Sequence, residues 1–215
     1  NDEINIEDLN GRTCCGALDL SSSVDMTAFC LVFTPNEGGK WITTVKYYIP
    51  LDNMQERIKT DRVPYDSWAR MGLVTATPGN VIDYEYIRQD ILKAVKDYDL
   101  REIAYDPWGA VQFAVQLQDQ DGIEMVEFRQ GFKSMSGPMK ELYKLVISGE
   151  LAHGGNAVLR WNADNIMVKT DPAENVKPEK AKSTGRIDGL VALIMALDRA
   201  MRLTQQHEMK MPIFI

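Results

Sequence analysis

The sequence predicts an α/β fold built on one mixed sheet, in which an antiparallel three-strand meander is followed by parallel strands with helices on both faces. Three consecutive β-type runs, at residues 13–20, 26–33 and 41–49, are joined by short turns, and this spacing favours antiparallel neighbours. Beyond residue 50, helical and extended segments alternate. Such alternation is typical of parallel strands covered by helices. Apolar residues at three- and four-residue spacing, as in residues 82–98, predict the helices.

Turn and cap residues divide the chain into these elements. Pro50 ends the third strand, Pro64 starts a short helix and Gly149 ends a longer one. The predicted helices are residues 51–60, 64–71, 82–98, 107–118, 134–148, 157–164 and 186–202. The later predicted strands are residues 73–77, 102–105, 123–128 and 166–169. The polar residues 171–182 contain two prolines and are predicted to form a mobile loop.

These elements predict one domain over residues 13–204, with a linker at 1–12 and a tail at 205–215. The first residue is Asn1 rather than methionine, so we expect a fragment of a longer protein. No apolar run reaches the length of a membrane-spanning helix, and no signal peptide is visible. Residues 14, 15 and 30 are the three cysteines, and no Cys-X-X-Cys pair occurs. This pattern argues against zinc and favours reduced thiols, as in a cytosolic protein.

The charge balance restricts the function classes. The net charge is −7, which argues against a protein that coats nucleic acid non-specifically. It leaves room for local basic clusters and for contact with phosphate through a metal. A basic stretch comes just before Asp188 and contains Lys177, Lys180, Lys182 and Arg186. They are candidates for holding a DNA backbone, and the alternative is a solvated loop balanced by nearby acids.

Three carboxylates stand at the ends of predicted elements: Asp19, Asp106 and Asp188. Ligand sites of open α/β sheets collect at strand ends. Like charges at close range repel, so convergence of the three acids would require a cation. Oxygen ligands select Mg²⁺ or Mn²⁺, and two such ions about 4 Å apart are a known arrangement for phosphodiester cleavage.

Each acid also has an ordinary structural explanation. Asp19, in an apolar run, would need a partner, and the alternative to a metal is a buried lysine or arginine. Asp106 precedes Pro107 and suits a helix N-cap. Asp188 suits the first turn of a helix, where it complements the dipole. Asp25 is a further candidate, either as a turn cap or as a fourth ligand. The spacing alone does not decide between these alternatives.

Eight short strings resemble the C-terminal nuclease domain of the terminase large subunit, the DNA-packaging motor of tailed bacteriophages. They occur in the order of that family and cover about residues 13–200. The strings are Leu18-Asp19-Leu20-Ser21-Ser22, Val63-Pro64-Tyr65, Thr77-Pro78-Gly79, Tyr105-Asp106-Pro107-Trp108, Gln130-Gly131-Phe132, His153-Gly154-Gly155-Asn156, Lys177-Pro178-Glu179-Lys180 and Ser183-Thr184-Gly185-Arg186-Ile187-Asp188-Gly189.

The resemblance implies a ribonuclease H-like fold and a two-metal endonuclease that cuts double-stranded concatemeric viral DNA during genome packaging. It assigns the metal-binding and catalytic acids to Asp19, Asp106 and Asp188, with two Mg²⁺ or Mn²⁺ ions. In some branches of the family the second acid is glutamate. The implied partners are double-stranded DNA and, in the full-length protein, the terminase small subunit and the procapsid portal. The implied location is the cytoplasm of the infected bacterium, with no membrane partner.

The full-length family member carries an N-terminal ATPase, but no GxxxxGK[ST] phosphate loop occurs in this chain, so no ATPase activity is expected of it. Two other functions stay open: a Holliday-junction resolvase or transposase-type nuclease of the same fold, and a portal-docking module with little nuclease activity. The four tryptophans are expected to be core residues rather than base-stacking platforms; they are Trp41, Trp68, Trp108 and Trp161.

Overall fold

The computed structural model describes residues 3–20 and 26–210. Within them, seven strands form one sheet in the order β4-β3-β2-β1-β5-β6, and β7 pairs with the other end of β3. The strands are β1 Thr13–Asp19, β2 Thr27–Phe33, β3 Trp41–Pro50, β4 Val74–Thr77, β5 Asp99–Tyr105, β6 Met125–Glu127 and β7 Leu151–Ala152. A separate hairpin contains β8 Val168–Thr170 and β9 Val176–Pro178.

The pairing confirms the predicted mixed sheet. β1, β2 and β3 are antiparallel neighbours. β5 is parallel to β1, β6 is parallel to β5, and β4 is parallel to β3. The chain therefore builds a meander first and adds parallel strands on both sides of it.

Helices cover both faces of this sheet. The helices are α1 Met54–Asp61, α2 Tyr65–Arg70, α3 Tyr84–Asp97, α4 Pro107–Asp121, α5 Phe132–Ser148, α6 Ala157–Asn165 and α7 Asp188–Lys210. Strand residues alternate between two cores: Cys15 and Ala17 pack with α5, α6 and α7, whereas Cys14 and Leu18 pack with α3 and α4. None of the helices in the described ranges has the length and apolarity needed to cross a membrane.

The predicted mobile loop at residues 171–182 is wrong, because this segment has regular structure. β9 pairs with β8, and a 3-10 helix follows at Lys180–Lys182. The hairpin turn is stabilised by Asp171, whose Oδ1 accepts from the backbone N–H groups of Ala173 and Asn175, each at 2.9 Å. The Ser136 hydroxyl, 3.1 Å from the Val176 nitrogen, ties the hairpin to α5. Side-chain bonds of this kind give no periodic pattern in the sequence.

Both predicted chain ends contain structure. A 3-10 helix spans Ile6–Leu9, and Leu9 is buried in the core beneath α3 and α4. At the other end, α7 continues to Lys210 rather than ending near residue 202. The proposed division into a linker, a nuclease domain over 13–204 and a tail remains a prediction.

The expectation that all four tryptophans are core residues is wrong for Trp108, which is 89% exposed. Trp68 is buried and packs on Trp161, and Trp41 packs against the same core. The difference arises at the start of α4, where Trp108 and Gly109 have non-helical backbone angles. Prediction from helical spacing assumes a regular helix, and this kink breaks it.

Candidate functional site

The ends of two parallel strands place Asp19 and Asp106 side by side. In the register of β1 and β5, Leu18 pairs with Tyr105. Asp19 is the last residue of β1, and Asp106 is the first residue beyond β5. Parallel neighbours end at the same edge of a sheet, so both carboxylates belong to the edge where open α/β sheets bind ligands.

Asp19 lies almost entirely inside the protein, with an exposed fraction of 2%. The alternation of β1 directs it toward α7, the side on which Cys15 and Ala17 pack. Its neighbours Leu18 and Leu20 are buried in the opposite core. The apolar flanks therefore fix the position of a carboxylate that must find its partners within the protein.

One lysine supplies the main partner. Lys180 Nζ donates to Asp19 Oδ1 at 2.8 Å and to Oδ2 at 2.7 Å. The same ammonium lies 3.9 Å from Asp188 Oδ1, and Gln130 Nε2 donates to Asp19 Oδ1 at 3.1 Å. Two buried carboxylates thus share one cation, which is the lysine pairing that the sequence had left open for Asp19.

The negative charges around Lys180 raise its pKa by more than burial lowers it. Burial alone would lower the pKa of Lys180, but the charges of Asp19 and Asp188 raise it above its ordinary value, with a smaller contribution from Asp106. The ammonium is therefore the stable form beside all three acids. Its side chain is still 42% exposed, so Lys180 also faces solvent.

Asp188 is the second buried acid that faces Lys180. It is the first residue of α7 and is 6% exposed. Burial, followed by the nearby charge of Asp19, raises the pKa of Asp188 to about 7, although Lys180 and Arg186 act in the opposite direction. Its Oδ2 is buried and has no hydrogen-bond partner among the described residues. Such an oxygen is costly unless a further positive group or donor reaches it.

Asp106 has the N-cap role that the sequence left open. Its Oδ1 accepts from the Trp108 backbone nitrogen at 3.0 Å, and Pro107 is the first residue of α4. This bond uses one of the two carboxylate oxygens. Within residues 3–20 and 26–210, no three acidic, histidine or cysteine side chains are close enough to form a ready metal site. Asp19 and Asp188 are thus linked through Lys180, and their convergence with Asp106 remains a prediction.

A buried amide anchors the start of α7, which the sequence did not reveal. Asn162 Oδ1 accepts from the Gly189 nitrogen at 3.0 Å and from the Tyr47 hydroxyl at 3.1 Å. Asn162 Nδ2 donates to the Arg186 carbonyl at 2.9 Å. A Cβ atom on Gly189 would lie 2.0 Å from the Tyr47 oxygen, so only glycine fits there. These contacts fix the helix end that carries Asp188.

The four predicted DNA-contacting cations have different surroundings. Lys180 joins the acids, whereas Lys177 lies over the Phe132 ring, 5.4 Å from its centroid. Lys182 is 69% exposed and pairs with Glu179 at 3.4 Å. Of these three, Lys182 is thus the most open to solvent.

Arg186 lies 3.9 Å from Asp61 on α1. Between α5 and the β8–β9 hairpin, a cavity of about 310 Å³ opens next to Lys180. Its lining includes three lysines, of which Lys169 was not predicted as a contact. The lining residues are Gln130, Met135, Lys169, Lys177, Pro178, Glu179, Lys180 and Ala181.

Sequence reasoning missed one residue of the site, and one of its candidates lies outside the described residues. Gln130 belongs to one of the family-like strings, yet sequence reasoning gave it no role; its position after β6, beside the ends of β1 and β5, was the available signal. Asp25 and the serine turn at residues 21–23 lie outside the described residues.

Comparison with known proteins identifies the family that this chain matches. The family model for the terminase large subunit endonuclease domain matches residues 3–204. The terminase large subunit of Enterobacteria phage HK97 is 40% identical over 187 residues, which is 85% of this chain and 36% of that protein. This chain therefore spans little more than a third of the length of that relative.

Solved structures show the same fold. The crystal structure of the HK97 large terminase superposes with a TM-score of 0.82 at 38% identity, covering 92% of this chain and 41% of that one. The magnesium-bound large terminase nuclease from thermophilic phage G20c has a TM-score of 0.56 at 14% identity, covering 87% of this chain and 82% of that one. The predicted ribonuclease H-like, mixed α/β fold is thereby confirmed.

Proposed function

The chain belongs to the terminase large subunit endonuclease domain family, and on that premise we propose that it cuts double-stranded concatemeric viral DNA during genome packaging, by two-metal-ion hydrolysis. One observation carries the assignment of the site. Buried Asp19 and buried Asp188 share a single cation at a sheet edge, and Asp106 stands at the end of the adjacent strand.

The donor set fits hard divalent cations. The three side chains offer carboxylate oxygens only, which suit Mg²⁺ and Mn²⁺. Asp188 Oδ2 has no partner within the described residues, and one Asp106 oxygen is not used by the helix cap. Asp19, Asp106 and Asp188 would hold the ions. Two bound ions supply a nucleophilic water at neutral pH and charge stabilisation at the leaving 3′ oxygen.

The lysines of this edge would bind and orient the DNA. Lys180 reaches Asp19 yet is 42% exposed, so the same ammonium can turn toward a phosphate when metal neutralises the acids. We expect Lys177, Lys182 and Arg186 to contact the DNA backbone without reading its sequence. Gln130 would keep its hydrogen bond to Asp19 and orient that carboxylate.

The setting of the reaction follows from the family. In the full-length protein we expect the terminase small subunit and the procapsid portal as partners, and the cytoplasm of the infected bacterium as the location. ATP hydrolysis is assigned to another part of that protein, since this chain has no phosphate loop.

Plasmid cleavage tests the proposal. We expect the chain to convert supercoiled plasmid to linear DNA with Mn²⁺ or Mg²⁺ and to lose this activity with EDTA. Asp19→Asn should abolish cleavage, because the substitution removes a charge at the centre of the acidic pair. Equal inactivity of the wild type and the Asp19→Asn variant with every metal tried would overturn the enzyme assignment and favour the docking module.

A further inference from the structure

The one tryptophan that the fold leaves open stands next to the proposed catalytic acids. Trp108 is 89% exposed. By contrast, Trp41, Trp68 and Trp161 pack against the core that contains α7. An aromatic ring gains much from burial, so a tryptophan that is 89% exposed next to the proposed catalytic acids is a candidate for contact with the substrate.

The backbone around Trp108 is built to keep the ring outside. Trp108 has a ψ of 93° and Gly109 a φ of +95°, so neither residue is helical. A φ of +95° favours glycine for conformational reasons, and no atom lies within 4 Å of the position a Cβ would take at Gly109. Regular helix geometry begins after this kink. Trp108 therefore belongs to the loop at the carboxyl end of β5 rather than to the packed part of α4.

The same loop connects the ring to the site. The Trp108 backbone nitrogen donates to Asp106 Oδ1 at 3.0 Å, which ties the Trp108 backbone to that carboxylate. Asp106 neighbours Asp19 across the β1–β5 pairing. A duplex with one phosphate at these acids would pass within reach of a side chain two residues away.

We infer that Trp108 is a DNA-contacting residue that packs against the deoxyribose and base edges next to the cut phosphate. This inference rests on the proposed DNA substrate. Apolar wedges of this kind are used by proteins that enter the minor groove, where they partly unstack a base step. The contact needs no sequence-specific hydrogen bond, because every nucleotide presents an apolar sugar and base face. It would supply at the site an apolar contact that the surrounding lysines cannot make.

A binding measurement tests the inference without depending on cleavage. Fluorescence anisotropy with a labelled 30-base-pair duplex in Ca²⁺ would compare the wild type with Trp108→Ala, Trp108→Phe and Val115→Ala. Val115 is a matched control, because it is 50% exposed on the same helix but lies seven residues further from the acids. Circular dichroism would verify that all four proteins are folded, which we expect because both positions face solvent.

We expect Trp108→Ala to weaken DNA binding about 10-fold, Trp108→Phe to retain most of the affinity, and Val115→Ala to leave it unchanged. Bound duplex should also protect tryptophan fluorescence from acrylamide in the wild type and not in Trp108→Ala. Wild-type affinity in Trp108→Ala would overturn the inference. Equal weakening by Trp108→Ala and Val115→Ala would also overturn it, since the whole α4 face would then matter rather than this ring. Absence of plasmid cleavage by a wild type that still shows the Trp108 dependence would overturn only the proposed enzyme activity.

Discussion

Replacing Lys180 with methionine should destabilise the protein in EDTA and make it more responsive to Mn²⁺. The substitution keeps most of the aliphatic volume and removes the ammonium that donates to both oxygens of Asp19 at 2.7 and 2.8 Å. Asp19 is 2% exposed, so its charge would remain buried with Gln130 as a donor at 3.1 Å.

The size of the effect follows from the burial of the two partners. Removing one member of a fully buried ion pair costs about 3–5 kcal/mol. The Lys180 side chain is 42% exposed, so water can partly replace it, and we expect a loss of about 2–3 kcal/mol in the free energy of unfolding. For a chain of this size, that loss lowers Tm by about 4–12 °C.

Mn²⁺ should offset part of this loss. In the proposed site, Mn²⁺ would bind the same Asp19 oxygens that accept from the Lys180 ammonium, so removing the ammonium should tighten Mn²⁺ binding. A tenfold tighter Kd is worth about 1.4 kcal/mol, and at saturating Mn²⁺ it would raise Tm by about 3–6 °C more in the variant than in the wild type.

Differential scanning calorimetry in EDTA and in Mn²⁺, with titration calorimetry for Kd, measures both effects. Lys182→Met is the matched control, because Lys182 lies in the same 3-10 helix and its exposed pair with Glu179, at 3.4 Å, should contribute little. An unchanged Tm in EDTA would refute the stabilising pair. An equal Mn²⁺ response in Lys180→Met and the wild type would refute the shared use of Asp19.

Three other perturbations test separate parts of the structure. Asp106 caps α4 and Asp83 caps α3, and each carboxylate accepts from a backbone nitrogen at 3.0 Å. Asp106→Ala and Asp83→Ala should therefore each lower the free energy of unfolding by about 1 kcal/mol, but only Asp106→Ala should abolish plasmid cleavage. Cleavage retained in Asp106→Ala would show that Asp106 is only a helix cap. Gly189→Ala should clash with Tyr47 and cost about 1–3 kcal/mol, with loss of cleavage, and an unchanged Tm by thermal unfolding would show that the α7 anchor is not tight. Burial, partly offset by the Thr43 hydrogen bond, raises the pKa of the Cys30 thiol from 9.0 to about 12. The folded thiol therefore keeps a proton that the unfolded chain loses, and this contribution to stability should fall from pH 9 toward pH 12. A thiol reagent at pH 8 should react with Cys30 only after unfolding, and rapid reaction of the native protein would contradict its burial.

Local sequence signals predicted the sheet edge well. Asp19 closes an apolar strand and Asp106 follows another, and the parallel pairing of Leu18 with Tyr105 puts both residues at the same edge of the sheet. The apolar runs that mark these two strands are short-range patterns, and a single sequence reveals such patterns most reliably. The family resemblance then ordered these strings along the chain, and the family match confirms it.

Sequence reasoning did not predict the contacts between residues that are far apart in the chain. Lys180 forms an ion pair with Asp19, which is 161 residues away in the sequence. The segment that contains Lys180 was predicted to be a mobile loop. The Asp171 turn and the Ser136 hydrogen bond that order this segment follow from side-chain geometry rather than from periodicity. The exposed position of Trp108 likewise depends on a kink at Gly109, which helical spacing cannot predict.

Anomalous diffraction from crystals soaked in Mn²⁺ tests the proposed metal centre most directly. We expect two peaks among Asp19, Asp106 and Asp188, each within about 2.0–2.6 Å of carboxylate oxygens of these residues. We also expect Lys180 Nζ to have moved away from the Asp19 oxygens. Peaks elsewhere, or no peak within that distance of Asp19 while Lys180 keeps its 2.7 Å contact, would contradict a two-metal nuclease at this site.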